Sequence, residues 1–365
     1  MEKSFVCVYL NFMVIQEVYN LKKLFRIIVI TFLILAIDLY GKLLVSQYIF
    51  QSPQLKKEHK IVKIKKEKEI KGVPDTIPEL LGRDSEILLA NWDEPARIEP
   101  SAYGYEWWIY NKDQSQYVQF GVKEHKIVTI YVGGEKVNIS PFHIGETYED
   151  IYKKNPFSHE ISLKMGRNSY QFELSDVELI EQPLVSIEDG WAQLYFDHFT
   201  HKLVGVRYMD DETLIKQKPY QLVSSGELTN PQPLSPELMK QVEQGNAQQI
   251  LDLTNVIRSR YHIPLLAWDQ QTAAVAFEHS KDMKDNNYFS HDSPSFGTLG
   301  DRLQKGNVSF QLAGENIAAQ HSDAIAAIQG WLNSEGHRKN LLNEQFTGLG
   351  IGVYDKFYTQ NFIQK

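Results

Sequence analysis

Residues 287–342 contain three short polar signatures, and these constrain the fold and function of the chain more than any other feature. The first is Asn-Tyr-Phe-Ser-His-Asp-Ser-Pro with His291, the second is Ala-Gly-Glu-Asn-Ile-Ala with Glu315, and the third is Trp-Leu-Asn-Ser-Glu-Gly-His-Arg-Lys-Asn-Leu-Leu with His337. Each places a titratable side chain beside Gly, Ser, Pro or Asn, which predicts a loop or the end of an element. Because binding and catalytic groups are commonly held in loops on a rigid scaffold, the rest of the chain is expected to support this block.

The motifs around the signatures identify a family. They are Leu-Thr-Asn-Val-Ile-Arg at 253–258, Pro-Leu-Leu-Ala-Trp-Asp at 264–269, His-Ser-Lys-Asp-Met at 279–283, Gly-Leu-Gly-Ile-Gly-Val at 348–353 and Tyr-Thr-Gln at 358–360. In this order, they make residues 247–362 resemble the CAP superfamily (cysteine-rich secretory, antigen 5 and pathogenesis-related 1 proteins) in its bacterial SCP-like form. The resemblance implies an α-β-α sandwich with an open cleft.

Chain length, net charge and cysteine content indicate the number of domains and argue against nucleic-acid-binding and disulfide-rich proteins. A chain of 365 residues predicts two to three domains. A formal net charge of -8 gives no general attraction to nucleic acid. The single cysteine, Cys7, excludes an intramolecular disulfide, unlike the disulfide-rich eukaryotic members of the resembling family. An exported protein without disulfides is typical of a Gram-positive-like bacterium.

The N-terminus decides the expected location. Lys22, Lys23 and Arg26 precede an apolar run at 27–37, which is the layout of a secretory signal. No small-x-small cleavage site is visible, so a cleaved signal peptide and an uncleaved anchor remain alternatives. In both cases the bulk of the chain is expected outside the cell, with any membrane contact through this segment. Because the lysine pair that opens this signal, Lys22 and Lys23, lies 21 residues into the chain, we also consider the hypothesis that translation starts near Leu21.

The sequence predicts an α+β protein in five parts. A hydrophobic N-terminal extension with a signal or anchor covers 1–50 and a Lys/Glu-rich spacer covers 51–74. A β-rich duplicated domain occupies 75–215, a Pro-containing linker 216–245, and the CAP/SCP domain 246–365.

The duplication is predicted from two hairpins and two glycine-led segments. Strand pairs at 117–122 with 126–131 and at 191–196 with 203–208 have hairpin spacing. Gly82 and Gly145 lie 63 residues apart ahead of them, and a glutamate follows each by four. This region also resembles the CAP-associated N-terminal region. Its scattered histidines indicate no metal site, the Trp107-Trp108 pair is expected in the sheet core, and a binding or spacing module is predicted.

Residue periodicity outlines the C-terminal domain. A helix ending before Pro264 is predicted from apolar residues three to four apart, and a second helix is predicted to begin at an Asp269 N-cap. Ser322 or Asp323 is expected to cap a further helix that contains Trp331 in the core. Strands at 348–353 and 357–363 are predicted, with a turn at 355–356.

His291, Glu315 and His337 match the cleft residues of the resembling family by motif. Two imidazoles and a carboxylate can bind zinc, act as general acid and base, or hydrogen-bond to one another and stiffen the cleft. The eukaryotic pattern has a second glutamate where this chain has Ser334, followed by Glu335, and Glu335 is therefore included among the candidate ligand-binding residues. The strand motif lacks the family histidine, and His337 is expected to replace it.

Two functions from different classes follow. The first is an exported cell-envelope protein that binds a ligand or partner at His291, Glu315, His337 and Glu335. The family resemblance implies that this ligand is an envelope component or a small lipid or peptide. The alternative is a zinc-dependent hydrolase of peptide or cell-wall material, with zinc on His291 and His337 and Glu315 as base. No serine or cysteine nucleophile motif is evident. Asn316, Arg338 and Asn340 are expected to lock the loops by hydrogen bonds.

Overall fold

The computed structural model describes residues 75–365. The predicted N-terminal signal or anchor, the spacer and the proposed translation start all lie outside this range. Within 75–365, no helix is both long enough and apolar enough to cross a bilayer.

Residues 75–225 form a β-rich domain of two antiparallel sheets. Its strands are β1 (Arg97–Pro100), β2 (Glu106–Tyr110), β3 (Val118–Lys123), β4 (Lys126–Val132), β5 (Glu160–Met165), β6 (Asn168–Glu173), β7 (Leu184–Ile187), β8 (Gly190–Asp197), β9 (Lys202–Met209) and β10 (Gln221–Ser225). Its helices are α1 (Glu86–Asn91), α2 (Tyr148–Lys154), α3 (Asp176–Glu181) and α4 (Asp211–Gln217), with 3-10 turns at Ile77–Leu80 and Gln114–Gln116. The larger sheet has the order β1-β2-β3-β4-β9-β8-β7, and the smaller has the order β10-β6-β5.

The two glycine-led segments of the predicted duplication make similar backbone hydrogen bonds, while the duplication itself stays a prediction. Both predicted hairpins form, as β3–β4 and β8–β9, and β4 pairs with β9 at the centre of the larger sheet. The Gly82 N–H donates to the carbonyl of Ile127 at 2.7 Å, and the Gly145 N–H donates to the carbonyl of Leu203 at 2.8 Å. Both glycines have positive φ, of 76° and 94°, which a residue with a side chain adopts less readily. The two glycine-led segments therefore join their hairpins in the same way.

The predicted linker at 216–245 is shorter than expected. Its first part forms β10, which pairs with β6, and Tyr220 packs against Phe172 in the core of the smaller sheet. Its last part belongs to a helix that begins at Pro236, after the Ser235 cap. Within the predicted linker, only residues 218–220 and 226–235 lack helix or strand. The prediction missed β10 because a lone strand that completes a distant sheet carries no local hairpin signal.

The C-terminal domain is the predicted α-β-α sandwich. Its helices are α5 (Pro236–Arg260), α6 (Gln270–Asp285), α7 (Leu299–Lys305), α8 (Ala324–Leu332) and α9 (Glu335–Leu341). Its strands are β11 (Ala267–Trp268), β12 (Leu312–Ala319), β13 (Gly348–Tyr354) and β14 (Phe357–Gln364), in the order β11-β13-β14-β12. The alternation along β13 separates the layers: Leu349 and Ile351 join the core formed with α5 and α8, whereas Gly350 and Gly352 face α6.

The caps predicted for this domain are present. The Asp269 carboxylate accepts a hydrogen bond from the Thr272 N–H at 2.9 Å at the start of α6. Asp323, rather than Ser322, caps α8 by accepting from the Ala326 N–H at 3.0 Å. Trp331 is 1% exposed, as expected for a core residue.

The two domains share one hydrophobic core. Trp107, 2% exposed, and several tyrosines on the larger sheet pack in the same cluster as apolar residues of α5 and α8. Arg207 of β9 and Asp323 form an ion pair of 2.7 Å across this core, with side chains only 1% and 7% exposed. The N-terminal domain is therefore packed directly on the C-terminal domain, which the prediction of a module behind a long linker did not anticipate.

Candidate functional site

Three different elements carry the three predicted site residues. His291 lies in the loop after α6, Glu315 lies in the middle of β12 opposite Asn361 of β14, and His337 lies in α9. The expectation that each signature forms a loop or an element end is therefore wrong for Glu315. Small residues surround it in the signature, but both faces of β12 are covered at this point, so the segment is a paired strand with a buried carboxylate.

Glu315 is held by two cations and is almost completely buried. Its Oε1 lies 2.9 Å from Nδ1 of His291, and its Oε2 accepts a hydrogen bond from Nη2 of Arg302 at 2.5 Å. The side chains of Glu315 and Arg302 are 3% and 4% exposed, whereas that of His291 is 55% exposed. Both carboxylate oxygens are thus engaged, and the imidazole of His291 connects this buried pair to the solvent.

Arg302 also fixes the loop that carries His291. Its Nη1 donates to the carbonyl oxygens of His291 at 2.7 Å and of Gly297 at 2.9 Å. One guanidinium therefore orients the carboxylate and the backbone of the imidazole that the carboxylate contacts. This arrangement uses the planar set of donors that distinguishes arginine from lysine.

His279 of α6 packs behind Glu315. Its Nε2 lies 3.1 Å from the carbonyl oxygen of Ser290 and 3.9 Å from Oε1 of Glu315. The residue is 1% exposed, and burial lowers its pKa below the usual 6.5 although the nearby Glu315 charge opposes the shift. His279 is therefore neutral near pH 7 and acts as a packing and hydrogen-bonding wall of the site.

Two asparagines connect α9 to β12. Asn316 Nδ2 donates to the His337 carbonyl at 3.2 Å, and Asn340 Nδ2 donates to the Glu315 carbonyl at 3.1 Å and to Asn316 Oδ1 at 2.9 Å. This is the locking role predicted for them. Because these bonds are made by buried or half-buried amides, they fix His337 relative to the strand that carries Glu315.

Arg338 has a different role from the one predicted. Its Nη2 donates to Oδ2 of Asp197 in the N-terminal domain at 2.8 Å, and its guanidinium lies over the rings of Phe199 and Tyr261. It therefore joins α9 to the other domain rather than locking the site loops. The long-range partner, Asp197, could not be inferred from the local sequence.

The two imidazoles of the site have opposite electrostatics. The hydrogen bond to Glu315 raises the pKa of His291 above the usual 6.5. Burial lowers the pKa of His337, and the positive charge of His291 lowers it further. Nδ1 of His337 is buried and has no hydrogen-bond partner within residues 75–365. The site therefore places His291, whose protonated form is favoured by Glu315, near His337, whose neutral form is favoured and which has an unused nitrogen.

Glu335 does not join this cluster. It lies on the exposed side of α9, where its carboxylate accepts a hydrogen bond from Nζ of Lys339 at 2.8 Å, with side chains 74% and 71% exposed. Within residues 75–365 its side chain contacts neither His291 nor Glu315, and its role in ligand binding stays a prediction. An ion pair between residues i and i+4 on a helix surface accounts for a glutamate at this position without any ligand-binding role.

Zinc in proteins is held by His, Cys, Asp or Glu side chains that converge on one point. In the part of the chain that the structure describes, no group of three or more His, Cys, Asp or Glu side chains is arranged to hold a metal ion. However, the Glu315 contact at Nδ1 of His291 is the kind of outer-shell carboxylate contact that accompanies metal-binding histidines. The chemistry of His291 and His337 thus fits two ligands, with Glu315 orienting one of them, and zinc there stays a prediction.

Arg302 and His279 were missed by sequence reasoning, although both carry a detectable signal. In α7, Leu299, Arg302 and Leu303 follow the i, i+3, i+4 pattern of one helix face, so Arg302 is a charge on an apolar face. In α6, His279 lies on the buried face that includes Ala276 and Met283. A charged or titratable residue on such a face indicates a buried partner, because an unpaired charge is costly to bury.

Comparison with family models and known proteins agrees with this architecture. Residues 81–220 match the CAP-associated N-terminal model, and residues 251–365 match the model of the cysteine-rich secretory protein family. The chain is 47% identical over 285 residues to the uncharacterized membrane protein YlbC of Bacillus subtilis, covering 78% of this chain and 82% of that protein. It is 39% identical over 120 residues to the uncharacterized protein YkwD of the same organism, covering 32% of this chain and 47% of that protein.

Two crystal structures are similar over most of the chain. One is an extracellular protein containing an SCP domain from Bacillus anthracis, with 74% identity and a TM-score of 0.77, covering 83% of this chain and all of that one. The other is a cysteine-rich secretory protein from Staphylococcus aureus, with 28% identity and a TM-score of 0.71, covering 80% of this chain and 93% of that one. This chain therefore belongs to the CAP superfamily, as a bacterial SCP-like protein with a CAP-associated N-terminal domain.

Proposed function

We propose that this chain is an exported protein of the cell envelope that binds an anionic or carbonyl-bearing ligand at His291 and His337. The basic and apolar start of the chain supports export. So do the relatives, one called a membrane protein and another an extracellular protein. A carboxylate on a small lipid, a peptide or an envelope component has the required chemistry.

The observation that carries the binding proposal is the contact of His291 with the buried Glu315. Because Arg302 already neutralises Glu315, a protonated His291 leaves the cluster with one net positive charge: two cations against one anion. The imidazole of His291 is half-exposed and can donate to a ligand oxygen, while the neutral His337 nearby adds a second hydrogen-bonding group.

The same geometry argues against Glu315 as a general base. A base must accept a proton from the substrate within hydrogen-bond reach, but both oxygens of Glu315 are engaged and its side chain is 3% exposed. A fixed carboxylate of this kind orients and charges the neighbouring imidazole instead. Glu315 is therefore a positioning residue in both candidate functions.

The zinc-dependent hydrolase is retained as the alternative because of the Glu315–His291 contact. If zinc binds, His291 and His337 would hold it, and it would supply Lewis-acid polarisation of a carbonyl or of a bound water. In that arrangement Glu315 fixes the tautomer of His291 rather than acting as the base that the sequence suggested.

Binding is tested by NMR on the full chain in micelles, following the imidazole signals of His291 and His337. The probes are N-acetyl-trialanine, octanoate, and the C-terminal amide of the same peptide. We expect shifts with the two carboxylates, weaker shifts with the amide, and no binding in His291→Ala. His198→Ala, which removes an exposed turn histidine, is the matched control. If none of the three probes shifts the imidazole signals of His291 and His337, the proposal is refuted.

Zinc is tested separately by metal analysis of protein purified without chelator. Stoichiometric zinc that is lost in both His291→Ala and His337→Ala, but retained in His198→Ala, would establish the alternative. Glu315→Gln would then weaken zinc binding by roughly tenfold to a hundredfold, as is usual for an outer-shell partner. A zinc content that does not change in the two site variants would favour the binding function.

A further inference from the structure

A cavity of about 590 Å³ opens in the N-terminal domain, beside the loops that follow α1, β2 and β4. Its volume lies within the range of small-molecule sites. All of the lining residues that the structure describes fall between 75 and 138, so none of them belongs to the His291 site. Any function of this cavity is therefore independent of the function proposed for the CAP domain.

Two aromatic rings form a rigid wall of the cavity. Trp92 is partly exposed, and its ring lies 5.2 Å from those of Tyr110 and Phe120, each at an interplanar angle of 83°. Phe120 is completely buried in the core of the larger sheet, so it anchors the indole from behind. Edge-to-face packing of this kind holds an aromatic platform in one orientation.

The hydroxyl of Tyr110 is an unsatisfied polar group at this wall. It is buried and has no hydrogen-bond partner among the residues that the structure describes. Burial and the negative charge of Asp93 raise its pKa to about 12, so the hydroxyl keeps its proton and can donate. Buried hydroxyls are nearly always paired, which indicates that a molecule entering the cavity supplies the missing partner.

The charges around the cavity disfavour anionic ligands. Among the residues that the structure describes, the ionic lining residues are four carboxylates, Asp75, Asp93, Glu94 and Asp113, and two ammonium groups, Lys112 and Lys136. The lining therefore repels anions. Lys112 and Asp93 pair at 2.7 Å with side chains 71% and 81% exposed, which places this charge at the solvent rim. Amide groups of Gln116 and Asn138 add neutral donors and acceptors.

We propose that this cavity binds an uncharged saccharide. The C–H face of a pyranose ring packs on an aromatic platform such as Trp92, and its hydroxyl groups match a lining of carboxylates and amides. One ring hydroxyl or ring oxygen would accept the hydrogen bond from Tyr110. The cavity thus gives the N-terminal domain a binding function of its own, toward a polymer or glycan of neutral sugars.

The test is isothermal titration calorimetry on the full chain, in a detergent without a sugar headgroup. The uncharged probes are chitotriose, cellotriose and maltotriose, and the charged comparators are trigalacturonate and trilysine. We expect at least one uncharged trisaccharide to bind with a Kd of about 1 mM or tighter. Tyr110→Phe should weaken this binding about threefold to tenfold, the worth of one hydrogen bond. Tyr152→Phe, at an exposed tyrosine of α2, is the matched control and should change nothing.

Thermal unfolding measured in parallel separates loss of binding from loss of fold. Tyr110→Phe removes an unpaired buried hydroxyl, so it should leave the unfolding temperature unchanged or raise it. Trp92→Ala should abolish binding. The proposal is overturned if none of the three uncharged probes binds at about 10 mM. It is also overturned if binding survives both substitutions unchanged, or if trilysine binds more tightly than every saccharide.

Discussion

Arg302 and Glu315 form an ion pair inside the CAP domain, with Nη2 of Arg302 2.5 Å from Oε2 of Glu315 and both side chains at most 4% exposed. A carboxylate at this depth is stable as an anion only if a cation compensates for the lost hydration. The pair therefore fixes the carboxylate of Glu315 beside His291, whose Nδ1 lies 2.9 Å from Oε1. The hydrogen bond to Glu315 raises the pKa of His291, and the nearby positive charge of Arg302, which lies outside all three polar signatures, opposes this shift.

Arg302→Met should destabilise the protein strongly, because it leaves Glu315 buried without a compensating charge. The expected loss in the free energy of unfolding is about 3–5 kcal/mol, the range found when one partner of a buried pair is removed. Urea denaturation at pH 7 measures this loss. The side chain volume is nearly conserved, so a loss of this size would report on charge rather than on a cavity.

The double variant Arg302→Met/Glu315→Gln separates the effect of the unpaired charge on stability from the effect of changing the side chain of Arg302. Removing both charges avoids the unpaired carboxylate, so the double variant should be more stable than Arg302→Met alone. If the stability lost by the double variant, relative to the unmodified protein, instead equals the sum of the two single losses, the two residues do not interact as the structure describes.

The stability supplied by His291 should depend on pH in a defined direction. Because the folded-state pKa of His291 is raised above 6.5, its contribution is fully present below pH 6.5 and is lost as the pH rises through the folded-state value. His337 should behave oppositely: its pKa is lowered, so its contribution is present above pH 6.5 and is lost as the pH falls through the lowered value.

Urea denaturation of His291→Asn and His337→Asn, each against the unmodified protein, tests this at about pH 5 and about pH 9. The loss caused by His291→Asn should be larger at the lower pH, and the loss caused by His337→Asn should be larger at the higher pH. Identical losses at both pH values would show that Glu315 does not charge His291.

Local patterns predicted much of the scaffold. The hairpins β3–β4 and β8–β9, the Asp269 cap and the glycine-led segments at 82 and 145 all follow from residues close in sequence. Such features depend on turn chemistry and alternation, which a single sequence displays directly. The motif match likewise selected His291, Glu315 and His337, and the structure places His291 and Glu315 in contact.

The features that were missed depend on contacts between distant residues. Arg302 lies 13 residues from Glu315, and the partner of Arg338, Asp197, lies 141 residues away in the other domain. Strand β10 likewise forms only because β6 offers it an edge. Periodicity shows which face of a helix or strand is buried, but it does not show which other element packs on that face. The partners of charged residues on buried faces could therefore not be predicted.

Gly352 of β13 is required by the close packing of α6 against the sheet. An added Cβ would lie 2.0 Å from the backbone nitrogen of Phe277, which is far inside contact distance. Gly352→Ala should therefore lower the free energy of unfolding by about 1–3 kcal/mol or more, the cost of overpacking. Gly336→Ala in α9 is the control, because nothing lies within 4 Å of its added Cβ, and it should be neutral or stabilising. Equal effects of the two substitutions would contradict the close approach of α6.

The shared core of the two domains predicts that they unfold together. Arg207 and Asp323 pair across the interface with side chains 1% and 7% exposed, and aromatic residues of the larger sheet pack on α5 and α8 around them. Differential scanning calorimetry should therefore show one cooperative transition for residues 75–365, since neither domain can open without exposing the core of the other.

Arg207→Met should move that whole transition to lower temperature, because it leaves Asp323 buried and unpaired, at a cost of about 3–5 kcal/mol. Lys339→Met, which breaks the exposed pair with Glu335, is the matched control and should leave the transition temperature nearly unchanged. Two separate transitions, with Arg207→Met shifting only one of them, would mean that the N-terminal domain folds independently. The Arg207–Asp323 pair would then be an incidental contact, whereas a single shifted transition requires the domains to act as one folding unit.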